Sequence, residues 1–252
     1  MRLCVLVFLF TTQYLLAKPL DLMLGARPQG MGGAFVAIAN DGNAAYWNPA
    51  GMNQIKKVDL IFSNEMWAGI KGINVNLFNG VLPIKDWGTV GFVWQFINST
   101  LKSGDPDQAT YKEDYWREHL LSLTYAHQLI ENLAIFRQLS LGINLNIYTY
   151  ATKEYSDLGW GADLSLFTFL PANLRWGLMV RSLLNRLGEE TFPPEIRTGL
   201  GYEFNWGQRN SLTLASDLLW KKGIEYKDLS QLKGVGYNLK LFDGLEYAYQ
   251  FK

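Results

Sequence analysis

Leu139, Leu141, Ile143, Leu145 and Ile147 alternate with Ser140, Gly142, Asn144, Asn146 and Tyr148. In an extended chain the two sets point to opposite faces, so the segment predicts a β-strand with one apolar and one polar side. The same period returns with Ile73, Val75 and Leu77 against Gly72, Asn74 and Asn76, and with Leu174, Trp176, Leu178 and Val180 against Arg175, Gly177, Met179 and Arg181. It returns again with Ile196, Leu200, Tyr202 and Phe204 against Arg197, Gly199, Gly201 and Glu203, and with Val235, Tyr237, Leu239 and Leu241 against Gly234, Gly236, Asn238 and Lys240. The last copy is Leu245, Tyr247, Tyr249 and Phe251, and weaker versions lie near 58–68, 89–97, 119–128, 159–169 and 211–220. That makes about eleven segments, each near the ~10 residues of a membrane-crossing strand.

Alternation alone also suits a soluble β-sandwich, so the faces have to discriminate. The polar faces are rich in Gly and Asn and carry Arg175, Arg181, Arg197, Glu203 and Glu246. That composition suits a hydrated or plugged interior. The apolar faces carry large Leu, Trp, Tyr and Phe side chains, with no evident second sheet or helix set to cover them. The links tend to alternate as well: 170–173, 205–210 and 242–244 are short, whereas 99–115, 184–194 and 221–233 are longer. Short turns on one side and longer loops on the other mark an up-and-down barrel in a membrane, although the short link near 69–71 breaks the alternation. Bacterial barrels normally hold an even number of strands, so the expectation is about twelve, within ten to fourteen. Residues 245–251 are either the closing strand or the penultimate one.

The composition points the same way. Aromatic residues reach 14% with nine Trp, while charged residues are only 18%. A surface this apolar needs an apolar partner, and a lipid bilayer is the simplest. Lys plus Arg equals Asp plus Glu at 23 each, so no positive field exists to hold nucleic acid. Beyond residue 20 no run approaches the 18 apolar residues of a spanning helix, which leaves a closed barrel as the way to satisfy the backbone in hydrocarbon.

Residues 1–17 read as a secretory signal peptide, with Arg2, an apolar stretch over 3–10 and the small Ala17 at the cut. The competing reading is an uncleaved anchor, for which the run falls short of ~20 residues. Cys4, the single cysteine, lies inside this segment, so the mature chain would have neither a disulfide nor a cysteine-based metal site.

Residues 18–55 are too rich in small side chains for a lipid-facing strand. Gly25, Gly30, Gly32, Gly33, Ala34 and Ala37 let backbone pass close to backbone, which suits a plug inside a crowded space. Asn48 before Pro49 reads as a helix start, with the Asn oxygen free to accept N–H bonds, and Gly51 can end that turn. Within this segment Gly30-Met31-Gly32-Gly33-Ala34, Asn40-Asp41-Gly42-Asn43-Ala44 and Trp47-Asn48-Pro49-Ala50-Gly51 follow one another. In that order they closely resemble the N-terminal signature of the FadL and PorV-like outer-membrane barrel superfamily.

The resemblance implies an all-β, transmembrane antiparallel up-and-down barrel over 56–252, with 18–55 forming a hatch that contains short helices. It implies that Gly30, Gly32, Gly33, Asn48, Pro49 and Ala50 form the hatch motif, linked in FadL-type members to passage of hydrophobic molecules. A purely structural role for the 48–50 turn stays open beside that. Arg27, Asp163, Arg175, Arg181, Arg197 and Glu203 are candidate interior charges, with Asp163, Glu203 or Glu246 as partners for Arg27. The leading functional expectation is passive uptake of a long-chain fatty acid or similar apolar molecule. The alternatives are an accessory that binds secretion-system proteins without transport, and a structural barrel protein.

Enzymatic chemistry finds little support. His119 and Ser122 are three apart and face opposite sides of a strand, and the two histidines, His119 and His127, lack an acidic pair for a metal. No cofactor is implied. Trp67, Trp87, Trp160, Trp206 and Trp220 fall near expected strand ends, where a membrane interface favours tryptophan.

Overall fold

The computed structural model describes Leu22 and residues 24–66, 72–103, 112–133, 136–206, 210–222 and 237–249. The expected signal peptide with Cys4, Trp67 and the loop tip at 104–111 lie outside the described residues. Among the described residues are ten strands: β1 (Asp59–Met66), β2 (Ile73–Ile84), β3 (Gly88–Ser103), β4 (Lys112–Leu133), β5 (Phe136–Thr152), β6 (Ser156–Phe169), β7 (Leu174–Leu187), β8 (Glu195–Trp206), β9 (Asn210–Lys222) and β10 (Tyr237–Tyr249). They form one sheet in the order β1 to β10, each strand antiparallel to the next. The fold is therefore an all-β, up-and-down meander. No described helix is long and apolar enough to cross a membrane, a statement that does not bear on strands.

Shorter and longer links tend to alternate, with 153–155 as a short link on the longer side. On one side lie 85–87, 134–135, 170–173 and 207–209; on the other lie 67–72, 104–111, 153–155, 188–194 and 223–236. The tight side uses left-handed backbone at Asp86, Ala172 and Asn173. The link near 69–71 spans 67–72, those expected at 99–115, 205–210 and 221–233 are 104–111, 207–209 and 223–236, and two others differ more. Residues 184–187 continue β7, so the loop is 188–194. Residues 242–244 are no turn at all: Asp243 and Gly244 pair with Ser216 and Ala215, and the expected last two strands are the single β10. A partner strand of matching length overrides the local turn signal of Asp-Gly.

The alternation of β5 reads as expected. Ser140, Gly142, Asn144, Asn146 and Tyr148 are buried on the inner face, while Ile143, Leu145 and Ile147 are exposed on the outer one. β7 and β8 agree, with Gly177, Met179, Arg197 and Gly199 inside and Leu200, Tyr202 and Phe204 outside. β2 does not. Val75 and Leu77, assigned by their pattern to the lipid face, are buried on the inner face together with Val81, and Asn74 is exposed on the outer one. β10 is described by its backbone, and its ladder sets Leu241 opposite Leu218 and Leu245 opposite Leu214.

The register shifts once in the β6–β7 ladder, between Ala162 and Leu164. Ser182, opposite that shift, has φ 55, and its N–H donates to Asp163 Oδ1 at 2.8 Å. This bulge turns Leu183 and Leu184 out together, as an extra residue in a ladder does.

The inner face surrounds the N-terminal segment, which contains α1 (Ala26–Gly30), α2 (Ala44–Trp47) and a 3-10 turn over Pro49–Gln54. These are the short helices the sequence led us to expect. Ala34, Phe35, Val36, Ala37, Ile38 and Ala39 have no exposed surface. One small segment meets side chains from β1 through β9, which requires the sheet to curl around it.

Candidate functional site

The buried segment and the strand positions that grip it form the candidate site. Gly32 (φ 60) and Gly33 (φ 84) turn the chain after α1 in a conformation other residues rarely adopt. Gly30 differs from its neighbours: a methyl group there would meet nothing, so the close-packing role expected of it is not seen. Arg27 donates to Asn40 Oδ1 at 2.7 Å and pairs with Asp41 Oδ2 at 2.9 Å, tying α1 to the 40–43 turn. Of the three carboxylates expected for Arg27, Asp163 and Glu203 bond elsewhere, and the Glu246 side chain lies outside the described residues.

Two walls hold the segment in different ways. Against β2, β3 and β4 the contact is apolar: Val75, Leu77, Val81, Val93, Ile97 and Ala126 join Phe35, Ile38, Trp47 and Met52 in one buried cluster. Against β5 to β9 the contact is mixed, with hydrogen bonds to the segment's backbone beside close glycine contacts to its backbone and to the Val36 and Ile38 side chains. A side chain at Gly142 would overlap the Pro49–Ala50 backbone, one at Gly177 the Val36 carbonyl, and one at Gly201 the Ile38 side chain. The glycines of the polar strand faces are thus the seats of the segment. Phe167 and Met179, buried on this wall, stand outside the cluster, which on this side includes Ala215 of β9.

Asn48, Pro49 and Ala50 lie against β5 and β6. Pro49 opens the 3-10 turn, but Asn48 does not cap it with its oxygen. Instead Asn48 Nδ2 donates to Val36 O at 2.7 Å and Leu166 O at 3.1 Å, stitching two parts of the segment to the wall. The Ala50 N–H donates to Ser165 Oγ at 3.0 Å. Gly51, expected to end the turn, sits inside it and is packed so closely on the Ala39 carbonyl that no side chain fits.

The expected interior charges of the strands lie on the inner face, with Arg27 on α1, but they do not converge. Arg181 donates to Tyr46 O at 2.9 Å and covers the Tyr46 ring at 4.3 Å. Arg197 donates to Gly33 O at 2.8 Å and lies 4.9 Å from the Trp47 ring. Arg175 pairs with Glu203 beside the Phe169 ring, away from the segment. Asp163 accepts from Asn144, Asn146 and the Ser182 N–H, a structural knot at the bulge.

Asp217 is the functional candidate that sequence reading passed over. It has no exposed surface, its Oδ2 accepts the N–H groups of Phe35 and Val36, both at 2.9 Å, and Arg197 Nη1 lies 4.0 Å away. Asp217 and Arg197, on adjacent strands, therefore take the N–H and C=O groups of one turn from both sides. The signal was present: a lone acid at an inner position between the outward Leu214 and Leu218. Asp59 and Glu65 of β1 likewise accept from Gly42 N at 2.8 Å and Gly25 N at 3.1 Å.

A cavity of about 690 Å³ opens at the tight-turn end between the exit of the segment and strands β2 to β4, lined by Asn53, Lys56, Lys85, Asp86, His127 and Glu131 among others. Its charges are mixed. His119 and Ser122 lie on opposite faces: His119 stacks outside with Trp94 and Phe96, and Ser122 donates inside to Asn146 Oδ1 at 2.6 Å. Among the described residues no three His, Cys, Asp or Glu side chains converge as metal ligands. Trp87 and Trp160 are exposed, while the Trp206 side chain lies outside the described residues. No family model matches the chain, and no curated protein matches it.

Proposed function

We propose that the chain is a bacterial outer-membrane β-barrel of the FadL and PorV-like kind, exported by residues 1–17, whose hatch at 18–55 gates passive uptake of hydrophobic small molecules. The observation that carries this reading is an N-terminal segment, buried over 33–39 and 42–52, gripped by strands β1 to β9 whose opposite face is apolar. Water gives no reason to expose Leu145 at 60%, Leu123 at 65% and Phe62 at 64% on one continuous surface; acyl chains do.

The geometry of that surface supports a membrane. Outward apolar residues run from 139 to 147 on β5 and from 196 to 204 on β8, close to the 9–11 residues of a tilted spanning strand. One ladder row leads from Ile143 through Leu164, Val180 and Ile196 to Trp220. Ile143 is central in its apolar run, whereas Ile196 and Trp220 end theirs. The apolar band is therefore inclined to the hydrogen-bond direction, as strands tilted in a barrel require. The tight turns then face the periplasm, and the hatch enters from that side.

The test is uptake of labelled oleate into vesicles carrying the protein, with cysteines introduced as Ala50→Cys and Ser165→Cys to lock the hatch. Uptake that stops on oxidation and returns on reduction is expected. Uptake equal to that of empty vesicles, with or without the lock, would overturn the transport reading. The complete burial of residues 34–39 favours a second reading, an accessory that binds secretion-system proteins and conducts nothing. Capture of such proteins from cells by the locked form, with no uptake, is its expected signature.

A further inference from the structure

From the unequal walls around the hatch we infer the direction in which it opens: the passage forms between the hatch and strands β6 to β9, with Asp217 and Arg197 as the catch and the β2–β4 side as the hinge. This rests on the hatch being a gate. On the β2–β4 side the hatch shares an apolar cluster with Val75, Leu77, Val81, Val93 and Ile97, and separating those surfaces exposes hydrocarbon to whatever fills the gap. The chain also leaves the hatch on that side, directly into β1, whose Asp59 and Glu65 bond its backbone.

On the opposite side most of the contacts can be exchanged for water. Phe35 N and Val36 N bond Asp217, Gly33 O bonds Arg197, Tyr46 O bonds Arg181, and Ala50 N bonds Ser165. Each is a hydrogen bond whose partners hydrate when parted, so the separation costs far less than opening a packed apolar face. Seats built from Gly177, Gly199 and Gly201 present no wall side chain at these positions, so only the small Val36 and Ile38 side chains of the hatch have to leave them. The closed state also carries an unmet demand on this side. Asp217 Oδ1 is buried without a hydrogen-bond partner among the described residues, as is Asn48 Oδ1. Asn79 Oδ1 and Ser99 Oγ on the other wall are in the same condition, but a neutral amide or hydroxyl oxygen loses less by it than a carboxylate does. Water entering along β8 and β9 would meet the larger demand, that of the carboxylate; water entering along β2 and β3 would reach neutral groups. The opened gap would be lined by the strand glycines and by Phe167 and Met179, a polar-edged slot with an apolar floor.

Two single-cysteine reporters read the direction independently of transport. Val36→Cys faces the catch and Ala45→Cys the apolar wall; both positions are buried, and the mature chain has no other thiol if residues 1–17 are removed. Each is placed in Asp217→Asn and in the milder Ser165→Ala, folded in lipid vesicles, and labelled with a small maleimide. Retention of the fold is checked by the shift between heated and unheated protein on a gel. Losing the charge on the catch is expected to speed labelling at position 36 about tenfold and leave position 45 within about twofold, with a smaller change of the same sign in Ser165→Ala. Equal acceleration at both positions, faster labelling at 45, or no change at 36 in both backgrounds overturns the inference. If position 36 responds alone but oleate uptake remains that of empty vesicles, the direction of opening stands and the transport reading fails.

Discussion

β2 and β5 carry the same pattern and use it in opposite senses. In β5 the large apolar residues Ile143, Leu145 and Ile147 point out and the asparagines point in; in β2 Val75, Leu77 and Val81 point in. Nothing in either strand alone explains this. The difference comes from the buried N-terminal segment, which is apolar on the side it turns to β2 and presents backbone to β5, where Gly142 admits Pro49 and Ala50. A period of two divides a strand into two faces, and the neighbour decides which face is inside.

The contrast can be broken deliberately. The largest effect is expected from Leu77→Ala on β2, which removes a side chain with no exposed surface from the hatch cluster and should destabilise folding by ~2–5 kcal/mol. Equilibrium urea unfolding from lipid vesicles measures it, and a cost near that of an exposed leucine would dissolve the distinction. Leu145→Arg on β5 should cost ~2–4 kcal/mol in the same vesicle assay if that face meets acyl chains, against the ±0.5 kcal/mol typical of a water-exposed site. A negligible cost would remove the membrane from the picture.

Gly177→Ala comes next. Its methyl group would press on the Val36 carbonyl and is expected to cost ~1–3 kcal/mol, seen as a lowered unfolding midpoint, whereas Gly30→Ala should be neutral or slightly stabilising. The smallest loss is expected from Ser165→Ala, which removes the acceptor of the Ala50 N–H for ~0.5–1.5 kcal/mol, read as a small drop in the same midpoint.

Part of the site was legible in the residues. The glycines of the polar faces were recognised as features of an interior, and Arg181 and Arg197 were read as interior charges, though not as groups that both bond backbone carbonyls of the N-terminal segment. The 48–50 turn was located correctly, yet Asn48 works through its amide nitrogen, because two carbonyls from distant parts of the chain converge there. Asp217 was missed since one acid in a weakly alternating strand looks incidental until the N–H groups of residues 35 and 36 arrive beside it, some 180 positions away in sequence.

What the residues determined by themselves is local and periodic: extended strands with unlike faces, tight turns between them, and a small-residue segment unable to stand as one of those strands. Tertiary structure decided which face of β2 looks inward, that 242–244 continues a strand, and which carboxylate meets the hatch. Local spacing sets backbone conformation over a few residues, but burial and pairing depend on surfaces that come together only once the sheet has wrapped around the segment it encloses.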